Sequence, residues 1–396
     1  MFVVKDLIEV KEGVYWVGAI DWNIRSFHGY ITHRGTSYNA YIVVGDEIAL
    51  VDTVKEHFFP EMMRRIREIV DPSEIDYMVS NHTEPDHSGS ITKFLDVAKG
   101  AELIASDLGT KGLRSYYGDD LEITSIKEKP SLNLGDKTLQ FVPIPMVHWP
   151  DSMVTYIPER KLLLSNDAFG QHLASNKRFD DEVDQAVLMQ EATTYYANIV
   201  MPLWMSVSRA FKALGGVDLE VIAPSHGMIW RKDPGKILEA YQRWVGGYSE
   251  ERAVIVYDTM WGSTERVANA LVEGLTRGGV DVKLFRLNET HNSDVIAQIL
   301  ESKAVLVGSP TLNNGLFPTV ASFLTYMKGL KPTKKIGAAF GSYGWGRGAK
   351  RLVEAELKAS GIELLENKLD FNFRPTEVEL EKAVEFGELV AKKIKG

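Results

Sequence analysis

Ile75-Asp76-Tyr77-Met78-Val79-Ser80-Asn81-His82-Thr83-Glu84-Pro85-Asp86-His87 carries the densest chemistry in the chain. Its apolar run, Tyr77–Val79, reads as a strand that gives out at Asn81. Four residues able to hold a metal then follow within six positions: His82, Glu84, Asp86 and His87. Such side chains are seldom buried unless paired or metal-bound. Three more candidates stand at the ends of apolar runs: His148 in PMVHWPDSM, Asp167 in LLLSNDAFG and His226 in VIAPSHGMIW. Each lies near Pro, Gly or Asn, where a sheet presents side chains to a common edge. Any of these three alone reads as a surface or capping residue. Together with the first cluster, they read as one metal site. The chain has no cysteine, so ligands must come from His, Asp, Glu or water, with no disulfide, thiolate or iron–sulfur cluster.

Around this stretch the first 250 residues mix strands and helices. Val14–Val17, Tyr41–Val44, Ile48–Val51, Leu139–Val142, Val154–Ile157, Lys161–Leu164 and Leu219–Ile222 read as strands. Phe59–Val70 and a long stretch from about Asp181 to Leu214 have helical periodicity. Adjacent strand pairs followed by helices suggest two packed sheets flanked by helices. The pattern changes near Gly246–Glu251, which sets expected domains at 1–250 and 251–396. From Ala253 five strands alternate with helices, the signature of a doubly wound parallel sheet that binds ligands at the strands' C-terminal ends.

The formal net charge of −9 argues against a general nucleic-acid or membrane-surface binder. No apolar run reaches membrane-spanning length. The N-terminal MFVVKDLIEVKEGVYWV is charged early, unlike a signal peptide, and a cytoplasmic location follows by default.

The loop after the first strand of the C-terminal part is Thr259-Met260-Trp261-Gly262-Ser263-Thr264, entering a helix. Small hydroxyl residues and a glycine there suit one phosphate. A simple helix cap by Ser263 or Thr264 leaves the rest of the loop unexplained. Pro310-Thr311-Leu312-Asn313-Asn314-Gly315 follows the third strand and Ser342-Tyr343-Gly344-Trp345-Gly346 the fourth. The first segment resembles the flavodoxin phosphate loop. The resemblance implies FMN, its ring held by the other two loops under an aromatic residue, Trp345 first and Tyr343 next. Gly344, Gly346 and Ala349 also fit a dinucleotide fingerprint with Asp370 downstream. That match follows the fourth strand instead of the first, so it reads as coincidence.

The metal pattern resembles the metallo-β-lactamase superfamily, whose strand-end loop is His-x-His-x-Asp-His, with Glu84 in place of the second His. The exchange adds carboxylate, which favours iron or manganese over zinc. Glu84 and the fused flavodoxin together resemble the flavodiiron proteins across nearly the whole chain, and DWNIRSFHGY, GTSYNAYIV, VHWPDSM and SNDAFGQH agree. The implied fold is α/β and α+β: a metallo-β-lactamase-like αββα sandwich followed by a flavodoxin-like sheet. The implied site has one iron on His82, Glu84 and His148, a second on Asp86 and His226, and Asp167 bridging. His87 is expected beside the metals, with direct ligation the alternative, and His28, Trp149 and Tyr195 are expected to line the pocket. The implied reactions are dioxygen to water and nitric oxide to nitrous oxide. Two ferrous ions and reduced FMN carry the four electrons that water formation needs. The resemblance also implies rubredoxin or another separate donor, and a head-to-tail homodimer, with a tetramer left open. Two other readings stand: a zinc hydrolase with an accessory flavodoxin domain, and a non-catalytic gas-sensing or electron-transfer flavoprotein.

Overall fold

A computed structural model describes residues 7–396. The first residues of the N-terminal stretch read for a signal peptide, Met1–Asp6, lie outside it. The chain divides into two compact units. The first comprises the residues up to Phe27, Thr32–Tyr195 and Leu203–Gln242, and the second His28–Ile31, Tyr196–Pro202 and Arg243–Gly396.

The first unit packs a seven-stranded sheet on a five-stranded one. The strands Ile48–Val51, Tyr77–Ser80 and Glu102–Ala105 are parallel neighbours in the larger sheet. Leu162–Asn166 and Val221–Pro224 are parallel neighbours in the smaller. Inner faces meet through Val43, Val51, Val79 and Ile104 on one side and Phe141, Met153, Leu162 and Leu164 on the other. Leu163, between two inward leucines, points to the opposite face, as strand alternation requires. Helix Phe59–Ile66 buries Met62, Met63 and Ile66, one stripe of an otherwise charged segment.

The helix expected over 181–214 is broken into pieces. Asp184 Oδ1 accepts the Ala186 and Val187 N–H groups and starts a helix, Gln185–Tyr195. A wider π turn, Tyr196–Val200, follows. A second helix runs Trp204–Ala213. Pro202 lies between them, and its missing N–H cannot continue the ladder.

In the second unit Glu250–Tyr257, Asp281–Arg286, Ser302–Pro310 and Ile336–Tyr343 pair in parallel. The fifth strand, expected over 362–369, is two short pieces, Glu363–Leu364 and Asp370–Asn372, both paired with Ile336–Tyr343. The order 2-1-3-4-5 is that of flavodoxin-like sheets. Ala253–Tyr257 is buried without alternation, because helices cover both faces. Helix Glu377–Lys395 starts with a capping box of Thr376 and Glu379 and packs on Ser263–Arg277.

Candidate metal centre and flavin site

The loop Asn81–Glu84 leaves strand Tyr77–Ser80 and turns into the one-turn helix Pro85–Ser88. Asp52 fixes the exit: its Oδ1 accepts Asn81 N–H at 2.7 Å and its Oδ2 the Asn81 side-chain amide at 3.1 Å. Burial, opposed by His87 and these bonds, pushes Asp52 up to about 6. Ser88 Oγ donates to Thr83 O at 2.7 Å and closes the loop. Asp167 follows strand Leu162–Asn166, and His226 follows Val221–Pro224.

These elements gather two groups of metal-binding side chains. In one, His82 Nε2 lies 3.2 Å from Glu84 Oε2 and 3.5 Å from Asp167 Oδ2. His148 Nε2 lies 3.4 Å from that glutamate and 3.2 Å from Asp167 Oδ2. In the other, His87 Nε2 and His226 Nε2 each lie 3.3 Å from Asp86 Oδ2. They lie 3.1 and 3.3 Å from Asp167 Oδ1. Asp167 thus turns one carboxylate oxygen to each group. Every member is buried or nearly so.

The distal ring nitrogens are held from behind. His82 Nδ1–H faces Asp151 Oδ2 at 2.9 Å, and the same oxygen accepts Thr83 N–H at 2.7 Å. His226 Nδ1 faces Ser37 O at 2.8 Å. Both contacts hold a proton on Nδ1 and turn Nε2 toward the cluster, the usual support of a metal-bound imidazole. Burial alone would push His148 and His226 down. It is outweighed by Asp167 with Glu84 for the first and Asp167 with Asp86 for the second, leaving them at about 9 and about 10. Burial likewise opposes ionisation of Asp167, but the His87 charge and its histidine contacts hold it well below the usual carboxylate range.

The set fits metal ions. Both oxygens of Asp86 and Oδ2 of Asp167 are buried without a properly formed hydrogen bond. Buried carboxylate lone pairs need a partner, and a cation supplies one. Three carboxylates and no thiolate favour iron over zinc.

Tyr195 is buried, its ring 5.2 Å from that of His172 and 6.1 Å from that of His226. Trp149 meets His82 edge-on at 5.1 Å. His28 is exposed and falls in the short segment grouped with the second unit. Sequence reasoning missed Asp151 and His172, although each lies in a stretch noted for its resemblance, VHWPDSM and SNDAFGQH. His172 is buried, its Nδ1 2.7 Å from Thr36 Oγ1 and its ring 4.7 Å from that of His226.

In the second unit the loop Thr259–Gly262 enters helix Ser263–Arg277 with Gly262 at φ 81° and no side chain capping the helix. Its first N–H groups therefore point outward for an anion. Thr259 Oγ1 accepts Gly262 N–H at 3.0 Å, and Thr264 Oγ1 pairs with Ser342 Oγ at 2.9 Å, tying the first loop to the third. Leu312 and Gly315 exchange backbone hydrogen bonds around Asn313 and Asn314, both at positive φ. Thr311 Oγ1 accepts Ala349 N–H at 3.2 Å. Trp261 and Trp345 are 91% and 97% exposed. Large aromatics left bare beside an anion loop fit a phosphate-bearing planar ligand such as FMN. The dinucleotide-like Gly344–Ala349 follows Ile336–Tyr343, the fourth strand of the unit, not its first.

Comparison with known proteins agrees with both halves. The model for ODP family beta lactamase matches residues 36–227 and the flavodoxin model residues 255–387. A nitric oxide reductase of Moorella thermoacetica is 48% identical over 393 residues, covering 98% of each chain. Among solved structures, the rubredoxin oxygen:oxidoreductase of the anaerobe Desulfovibrio gigas is 36% identical with a TM-score of 0.96, covering 98% of this chain and 99% of that one. The flavodiiron protein of Giardia intestinalis is 34% identical with a TM-score of 0.94, covering 100% and 98%. The fold and its two sites define a metal-dependent flavoprotein oxidoreductase. The chain belongs to the flavodiiron protein family. Among the described residues no helix is long and apolar enough to cross a membrane.

Proposed function

We propose that this protein reduces dioxygen to water, nitric oxide to nitrous oxide, or both, at a pair of iron ions fed with electrons through FMN. The observation that carries this reading is Asp167, buried with one oxygen toward each ligand group. His82, Glu84 and His148 would hold one ion and Asp86, His87 and His226 the other, with Asp167 between them. His87 is taken as a ligand because its Nε2 faces the same two carboxylates as that of His226. When bound, the ions supply Lewis acidity and two electrons, and reduced FMN supplies two more.

The protein's own residues then have distinct tasks. Asp151 and the Ser37 carbonyl hold His82 and His226 in the ligating tautomer. His172, anchored by Thr36, and Tyr195 stand against His226 and would bring protons to the reduced gas. Thr259, Ser263 and Thr264 would anchor the FMN phosphate, and Trp345 would cover the ring, with Met260, Trp261, the 310–315 loop and Ser342–Gly346 around it. The Desulfovibrio relative's name makes rubredoxin a fitting donor, and a head-to-tail homodimer would set each flavin beside its partner's metals.

Iron-loaded, FMN-reconstituted protein should consume dioxygen or nitric oxide when reduced, and zinc-loaded protein should not. Equal rates with either metal, or none with iron, would defeat this reading.

A further inference from the structure

Behind the metal centre, within the first unit, lies a cavity of about 200 Å³. Val154 and Leu163 form its floor on the outer face of the five-stranded sheet, and Val207 and Tyr241 approach from helices Trp204–Ala213 and Pro234–Val245. The half-buried Phe211, Leu214 and Leu238 stand at its outer end. Its inner wall is made by immediate chain neighbours of the ligands: Val147 precedes His148, and Ala168 and Phe169 follow Asp167. That last turn is rigid. Ser165 Oγ donates to Ala168 O at 2.7 Å, Phe169 N–H to Tyr241 Oη at 2.9 Å, and Gly170 N–H to Asp167 O at 3.1 Å. One turn therefore shows a carboxylate to the metal groups and apolar side chains to the cavity.

From this geometry we propose that the cavity binds apolar diatomic gas, dioxygen or nitric oxide, and holds it beside the centre that reduces it. The inference rests on the gas-reducing function proposed above. Its wall is almost wholly aliphatic and aromatic, open toward solvent where the exposed Gly215 and Gln242 line it, and apolar walls of this kind take up small apolar molecules, as engineered apolar cavities of similar size take up xenon. A larger soluble substrate would need polar groups to orient it, and Gln242 at the outer end is the one side-chain amide among the lining residues.

Xenon is the probe. Crystals of the full-length holoprotein under xenon pressure should show xenon between Val207 and Leu163. Val207→Phe should abolish that density. It should raise KM for the gas at least about threefold while kcat, iron content and flavin reduction by donor stay within about twofold, the pattern of impaired supply rather than impaired chemistry. Ala210→Phe, at a half-buried position, repeats the test should the first variant fold poorly. Absence of xenon from the wild-type cavity would overturn the proposal. So would an acyl chain or other additive occupying the cavity in its place, or an unchanged KM once it is filled. Xenon binding is read without turnover, so a holoprotein that binds xenon but reduces no gas would count against the proposed function and not against the cavity.

Discussion

Asp151 shows how a ligand set is supported by residues that carry no metal-binding signature of their own. It meets both His82 Nδ1 and the Thr83 amide, so Asp151→Asn removes the charge while keeping the shape. Metal affinity should drop about 10- to 100-fold, measured by competition with a chelator, with the fold intact by circular dichroism. Unchanged affinity would mean His82 is held by packing alone. Asp167→Ala should empty both metal positions, whereas His87→Ala should leave the His82–Glu84–His148 group loaded; equal loss in the two would refute the bridging role. A third residue acts on stability. Lys335 donates to Leu300 O at 2.7 Å and Ser249 Oγ at 2.8 Å, and burial pushes it down to about 7 from 10.5. Between those values the unfolded chain binds a proton that the folded one does not, so stability rises with pH across that window. Unfolding of the second unit followed from pH 7 to 10 should show this rise, and Lys335→Met should flatten it. The ligands were legible in sequence because four of them crowd six positions. Asp151 and Thr36 were not, because an acid in a turn or a threonine in a strand acquires its role only when distant segments meet.

At the level of elements, the alternation from Ala253 onward was readable because a parallel sheet covered on both faces demands continuous apolar runs between helices. The fifth strand was harder. Its apolar run is interrupted by Glu366, Asn367 and Lys368, and it pairs in two separate pieces. The 181–214 stretch was misread for a related reason. Periodicity continues across Pro202, while the hydrogen-bond ladder cannot. Helix packing in the second unit turns on two glycines. A Cβ on Gly274 would come 2.0 Å from Val384 O, and one on Gly387 would come 2.9 Å from Gly274 Cα. Gly274→Ala should therefore prise helix Glu377–Lys395 away and cost about 1–3 kcal/mol or more, seen as a lower Tm of the flavin-binding unit. An unchanged Tm would show that these helices have slack.

For the whole molecule, composition excluded more than it identified, and the pairing of two sites on one chain did the rest. Electron delivery across a head-to-tail dimer can be tested by mixing two inactive variants. One has a broken metal site, His82→Ala with Asp86→Ala; the other has a broken phosphate loop, Thr259→Ala with Ser263→Arg. After subunit exchange, verified by mass, one interface of the mixed dimer pairs an intact flavin with intact metals, and gas reduction should return. No recovery would place electron transfer within one chain. The central claim, flavin and two irons acting as one four-electron unit on the gas, is tested most directly by a single turnover. Fully reduced iron- and FMN-loaded protein is mixed with limiting dioxygen, and oxidation of flavin and iron is counted against oxygen consumed. Four electrons per dioxygen with no hydrogen peroxide released is the expected result; two electrons with stoichiometric peroxide, or flavin oxidised while the iron stays ferrous, would contradict it.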